Sequence, residues 1–241
     1  SERWHTDPVQ RYDTLFAMKT RLHEAFPSVP YFKPVLDEKG IELSCATISG
    51  VHGIRLIPMV YGMQTRYFTD GWPDAAGKAP LTKEHLARLE PLDAAKTPVM
   101  AQLFDQMDTI EQTYGSIHGY LNYQGILNIA LKLRGPDIFM DMYDDPAFVH
   151  HLFAHIADTI LKVSKCVQAR QRASGFAVNL LSMSNCVMNM VSADTYSEFV
   201  LPHDLMLSGE YERFGVHTCN WNITPYIDVL RTIGKMGYID M

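Results

Sequence analysis

The chain has 241 residues, 47% of them hydrophobic, with 21 basic and 27 acidic side chains for a net charge of −6. No basic run is present, which argues against nucleic-acid binding. No apolar stretch approaches the roughly 20 residues that span a bilayer, and the polar opening SERWHTDPVQ predicts no signal peptide. The cysteines, at 45, 166, 186 and 219, are too sparse and irregular for a disulfide framework and predict reduced thiols in the cytoplasm. The 13 methionines read as core filling.

In chain order, Pro8 to Phe26 reads as a helix, with Leu15, Met18, Leu22 and Phe26 at helical spacing and Pro27 as the stop. Leu43 to Ile48 reads as a strand ending at Ser49-Gly50. Residues 68–81 are a loop dense in Gly, Pro and Asp. Thr82 caps a short helix, and a longer one spans Pro98 to Tyr114. A strand is expected over Ser116 to Tyr123 and a helix over Gly125 to Leu133, closed by Gly135-Pro136. Asp145 and Pro146 open a long amphipathic helix towards Ser174, with Phe148, Leu152, Ile156, Ile160, Val163 and Val167 as its buried stripe. Phe176 to Met183 is a strand. Ser192 caps a helix that breaks at Pro202 and resumes to Arg213. A strand over Gly215 to Cys219, a helix over Ile223 to Ile233 and a strand over Met236 to Asp240 complete the chain.

Strand–helix alternation implies parallel strands with right-handed crossovers. A doubly wound sheet and a barrel both fit. No Gly-x-Gly-x-x-Gly follows any predicted strand, so a dinucleotide site of that type has no support. A (β/α)8-type barrel is preferred, as one domain over residues 1–241. Because such barrels need about 250 residues, its C-terminal units are expected beyond Met241.

The segment His217-Thr218-Cys219-Asn220 carries the most informative chemistry. Alternation along a strand sends residues i and i+2 to one face, which sets an imidazole beside a thiol, a pair suited to zinc. The bland alternative is a buried His and a buried free Cys. Barrel chemistry sits at the C-terminal strand ends. Asn122, Tyr123 and Gln124, Asn185 and Cys186, and Asp240 are all placed there. Cys186 reads either as a small core residue or as a third soft ligand. Asn185 and Asp240 could equally cap a turn and a following helix. His150-His151 reads as a solvated face, His203 has no visible partner, and Trp221 reads as packing.

Three segments carry a family likeness. Residues 119–152, GYLNYQGILNIALKLRGPDIFMDMYDDPAFVHHL, together with VSADTYSEFVLPHD at 191–204 and FGVHTCN at 214–220, resemble the uroporphyrinogen decarboxylase superfamily. The match runs in order over roughly residues 98–241, and the first hundred residues match poorly. The resemblance implies a (β/α)8 barrel and two reaction classes. One is cofactor-free decarboxylation of a tetrapyrrole. The other is transfer of a methyl group from a corrinoid protein to a thiol, by enzymes that hold zinc with His-x-Cys and a later Cys. His217 and Cys219 match the first two ligands, and the later Cys is expected beyond residue 241.

The decarboxylase motifs are poorly matched. The Arg-rich turn of the type R.AGRY is absent, Asp70 in FTDGWP is a weak substitute for the acidic residue of an SDI context, and Asn185-Cys186 stands where decarboxylases carry Asp-Ser. The favoured expectation is therefore a zinc-dependent methyltransferase. His217 and Cys219 are its metal ligands, Asn185 and Asp240 its catalytic groups, and Asn122, Tyr123, Gln124, Cys186 and Asn220 its substrate-binding groups. Its partners are a small-molecule substrate, a corrinoid protein and, as barrels of this superfamily often pair, a second copy of the chain. A tetrapyrrole decarboxylase and a non-catalytic corrinoid- or tetrapyrrole-binding protein are the alternatives.

Overall fold

The computed structural model describes residues 2–76 and 80–240. Helix α1 (Glu2–Thr6) leads into α2 (Pro8–Ala25), whose cap Asp7 accepts from the backbone N–H groups of Val9 and Gln10. Helix α3 (Leu56–Val60) precedes a small antiparallel pair, β1 (Gln64–Arg66) and β2 (Asp74–Ala76). The loop expected over 68–81 thus contains a short strand, and residues 77–79 of it lie outside the described residues. Then come α4 (Lys83–Leu86), α5 (Pro98–Tyr114), β3 (Asn122–Gln124), α6 (Ile126–Arg134), α7 (Asp137–Asp144) and α8 (Pro146–Ala173). The chain continues with β4 (Leu180–Ser184), α9 (Ala193–Phe199), α10 (Leu201–Gly209), β5 (Arg213–His217), α11 (Ile227–Leu230) and β6 (Met236–Asp240). Among the described residues no helix is long and apolar enough to cross a membrane.

Strands β3, β4, β5 and β6 form a parallel sheet in sequence order. The architecture is α/β, with the expected alternation of strand and helix in the second half of the chain. Residues 43–48 do not form the expected strand. Glu42 accepts from Ser44 N–H and winds 43–45 into a 3-10 turn, which leaves a single parallel bridge between Thr47 and His118. The strand expected over 116–123 narrows to 122–124. Gly119 is left-handed (φ +83°), and the carbonyls of Ile117 and Gly119 accept from the Gln171 side chain on α8 instead of from a neighbouring strand. At β4 the start moves to Leu180, because Phe176 N–H is still bonded to Gln171 O at the end of α8.

The two faces of the sheet differ because strand side chains alternate. In register across it, Tyr123, Met183 and Val216 are buried in the hydrophobic core. Helix α8 supplies that core with Leu152, Phe153, Ile156, Ile160 and Val163, all fully buried. The opposite face carries one row of Asn122, Ser182, Gly215 and Tyr238, and at the strand ends a second row of Gln124, Ser184, His217 and Asp240. Polar chemistry is therefore confined to one face and is densest at the C-terminal edge.

Candidate metal centre

Strand β5 ends at His217, and the next residues turn sharply. Thr218 N–H donates to Asp240 O at 2.8 Å, and Cys219 and Asn220 both take left-handed backbone angles (φ +57°). Non-glycine residues held there cost of order 1–3 kcal/mol each, and such strain tends to gather at functional sites. Alternation along a strand does not bring His217 and Cys219 together, because Cys219 is past the strand. The left-handed turn folds it back, placing Cys219 Sγ 3.2 Å from His217 Nε2. On the other side of the ring, Asp240 Oδ2 stands 2.9 Å from His217 Nδ1. A carboxylate accepts only, so Nδ1 carries the proton and Nε2 presents its lone pair towards Cys219.

Cys186 approaches from the neighbouring strand. It begins a 3-10 turn (Cys186–Met190) directly after β4, and Asn185 N–H donates to His217 O at 2.9 Å, tying the two strand ends together. Its Sγ lies 2.7 Å from Cys219 Sγ. One ligand atom from each of Cys186, His217 and Cys219 falls within a sphere of contacts no longer than 4.8 Å. Two thiols and an imidazole form a soft donor set of the kind that suits zinc. Burial pushes the Cys186 thiol up to about 12, with the Cys219 thiol beside it adding to the effect.

The other expected site residues separate into two groups. Gln124 and Asp240 share the row of His217, and Asn122 sits one row below. There its amide donates to Ser184 Oγ at 2.8 Å and accepts from Ser182 Oγ at 3.0 Å. Tyr123 instead faces the helix side, 2% exposed in the core, where burial raises its phenol well above the usual range. Asn220 lies exposed in the turn. Asn185 is 3% exposed, and its amide donates to Asp204 Oδ2 at 3.1 Å. Gly125 makes room for it, since a Cβ there would lie 1.8 Å from Asn185 Oδ1.

Asp204, on α10, was not legible as a partner of this region. It also accepts from the Tyr196 hydroxyl at 2.6 Å, and complete burial pushes its carboxyl up to about 6. The available signal was spacing: Tyr196, Val200, Asp204 and Leu207 fall on one helical face, and a lone acid on an apolar face needs partners. Tyr238 was also missed. Its hydroxyl is 2.5 Å from Ser182 Oγ.

No protein-family model and no curated protein sequence matches the chain. Among solved structures it is similar to a methyltransferase from Methanosarcina mazei, with a TM-score of 0.67 and 13% identity. The likeness covers 97% of this chain and 63% of the other, so the chain spans less than two thirds of that protein. At that identity the likeness is one of fold.

Proposed function

We propose that the chain is a zinc-dependent methyltransferase barrel resembling the uroporphyrinogen decarboxylase superfamily, which transfers methyl from a corrinoid protein to a small thiol. The observation that carries this reading is the convergence of Cys186, His217 and Cys219 from two adjacent strand ends. The fold likeness to a methyltransferase supports the reaction class. In this reading Cys186 completes the donor set from within residues 1–241.

Cys186, His217 and Cys219 would hold the metal. Zinc bound there supplies the charge that keeps a neighbouring thiol as thiolate at neutral pH, the form in which sulfur is nucleophilic. Asp240 fixes the His217 tautomer so that Nε2 is free to donate its lone pair. The bond from Asn185 N–H to His217 O holds the two ligand-bearing edges in register. Gln124 and Asn122, with Ser182 and Ser184, line the adjoining polar face and would position the acceptor. The Asn185 amide, held by Asp204, acts on the site through the backbone of Cys186.

The test is elemental analysis of wild type, Cys186→Ser and Cys219→Ser, with methyl transfer from methylcobalamin to a small thiol assayed in parallel. The expected result is about one zinc per chain in wild type, lost in both variants together with transfer. A folded wild-type protein that takes up no zinc sinks the proposal. Porphyrinogen turnover by metal-free protein would establish the decarboxylase in its place.

A further inference from the structure

A set of unmet polar atoms lies away from the parallel sheet, where the N-terminal helices meet α5. Arg11, on α2, is fully buried. Its guanidinium meets only neutral oxygens. Nε donates to Thr47 O at 3.0 Å, and Nη1 donates to Trp4 O at 3.2 Å and to Gln106 Oε1 at 3.1 Å, while Nη2 has no partner. Arg55 is also buried; its Nη1 donates to Thr65 Oγ1 at 2.9 Å, and its guanidinium stacks over the Tyr67 ring at 5.6 Å. Among the described residues neither arginine forms an ion pair. His52 is 3% exposed, and neither of its ring nitrogens has a hydrogen-bond partner. Burial and the charges of Arg55, His5 and Arg11 push its imidazole down to about 4, so the ring is neutral at pH 7, with one N–H and one lone pair. Buried polar groups are paired as a rule, and a buried charge calls for a countercharge.

These groups gather at one cavity of about 510 Å³ between the α1–α2 junction, β1 and α5. His52, Gln106, Thr65 and Tyr67 line it, and no residue of the parallel sheet does. Arg11 backs Gln106, and Arg55 backs Thr65 and Tyr67. Because Gln106 Oε1 accepts from Arg11, its Nε2 is the group left to donate into the cavity. The rim has the opposite sign. Glu2 and Asp105 line the cavity from exposed positions, and among the described residues no cation pairs with either.

We propose that this cavity binds a small zwitterion of the amino-acid class, with a carboxylate at one end and an ammonium at the other. The carboxylate sits on the buried floor, where it accepts from the His52 N–H and from Gln106 Nε2 and meets the field of Arg11 and Arg55. The ammonium faces Glu2 and Asp105 at the rim. An anion alone meets that acidic rim with no charge to offer it, and a cation alone meets two buried arginines. The site shares no residue with the metal cluster, so neither zinc content nor methyl transfer bears on it.

The experiment titrates the whole chain at pH 7 with ω-amino carboxylates from glycine to 6-aminohexanoate. Calorimetry gives the affinity, and the NMR signal of the His52 ring gives the place. Propionate and ethylamine, which each keep one charge of β-alanine, are the controls. At least one amino carboxylate is expected to bind more tightly than either control and to shift the His52 signal. His52→Phe is expected to weaken that binding by about tenfold or more. Glu2→Gln combined with Asp105→Asn changes only exposed side chains, so it keeps the proposal testable if His52→Phe does not fold. It is expected to narrow the preference for the zwitterion over propionate by about two- to fivefold. Propionate binding as tightly as every amino carboxylate, a preference unchanged in the double variant, binding that leaves the His52 signal unmoved, or no binding by any member of the series would each overturn the proposal.

Discussion

Gly215 and Tyr238 are register partners on β5 and β6, and a Cβ on Gly215 would lie 2.1 Å from the Tyr238 ring. The phenol therefore lies across the space a side chain would fill, and its hydroxyl reaches Ser182 one strand further on. This contact sets the row beneath His217 and Asp240. We expect Gly215→Ala to push the ring out, break its bond to Ser182 and cost about 1–3 kcal/mol as overpacking. At about 2–4 °C per kcal/mol for a chain of this size, calorimetry should show a clear fall in Tm. A further substitution, Tyr238→Ala, should remove the clash and recover part of the loss. A Gly215→Ala protein as stable as wild type would show that the ring has another place to go.

The bond between His217 Nδ1 and Asp240 Oδ2 makes a different kind of prediction. Asp240→Asn keeps the shape of the side chain but can present an N–H where the carboxylate accepted, so the preferred His217 tautomer is no longer imposed. Zinc affinity should fall by about 10- to 100-fold, the usual effect of losing such a partner, while stoichiometry at saturating zinc stays the same. Competition against a chelating dye would measure this. Unchanged affinity would mean that Asp240 does not orient the ring.

Metal removal should register in stability. A ligand that binds only the folded chain stabilises it in proportion to the logarithm of its concentration over Kd. We expect a chelator to lower the Tm of wild type and to leave that of Cys219→Ser unmoved. Equal Tm values for wild type with and without chelator, in protein that contains zinc, would place the metal somewhere other than this cluster.

Much of the second half of the chain was legible because its helices carry their own boundaries. Asp145 caps α8 through Phe148 N–H with Pro146 in the first turn, and Ser192 caps α9 through Thr195 N–H, as their sequence patterns imply. The stripe on α8 is buried as expected. The stripe on α2 is not, since Met18 is 52% exposed and Phe26 54% exposed. Periodicity shows which residues share a face, not whether another element covers that face. The strands were harder, because an apolar run does not reveal where its carbonyls find donors, and Gln171 takes two of them. The site was half legible for a related reason. His217 and Cys219 are neighbours in sequence, whereas Cys186 joins them only because β4 and β5 are adjacent in the sheet. Asp204 meets Asn185 only through the packing of α10.

That buried pair, Asp204 and Asn185, leads to the pH dependence. Complete burial raises the Asp204 carboxyl from 3.8 to about 6 in the folded chain, with the bonds from Tyr196 and Asn185 partly opposing the rise. Between those values the unfolded chain has already lost the proton that the folded chain keeps, so stability falls as pH rises from about 4 to about 6 and levels off above. The size of this contribution is of the order of 3 kcal/mol. Asp204→Asn keeps an oxygen to accept from Tyr196 and Asn185 and has no charge to bury. We expect it to flatten the profile over that interval and to raise Tm at pH 7 by several degrees. Denaturant unfolding of both proteins across pH 4 to 7 measures the difference directly. If wild type gained stability over that range and Asp204→Asn did not, burial would not raise the Asp204 carboxyl, and the bonds that favour its charged form, from Tyr196 and Asn185, would outweigh it.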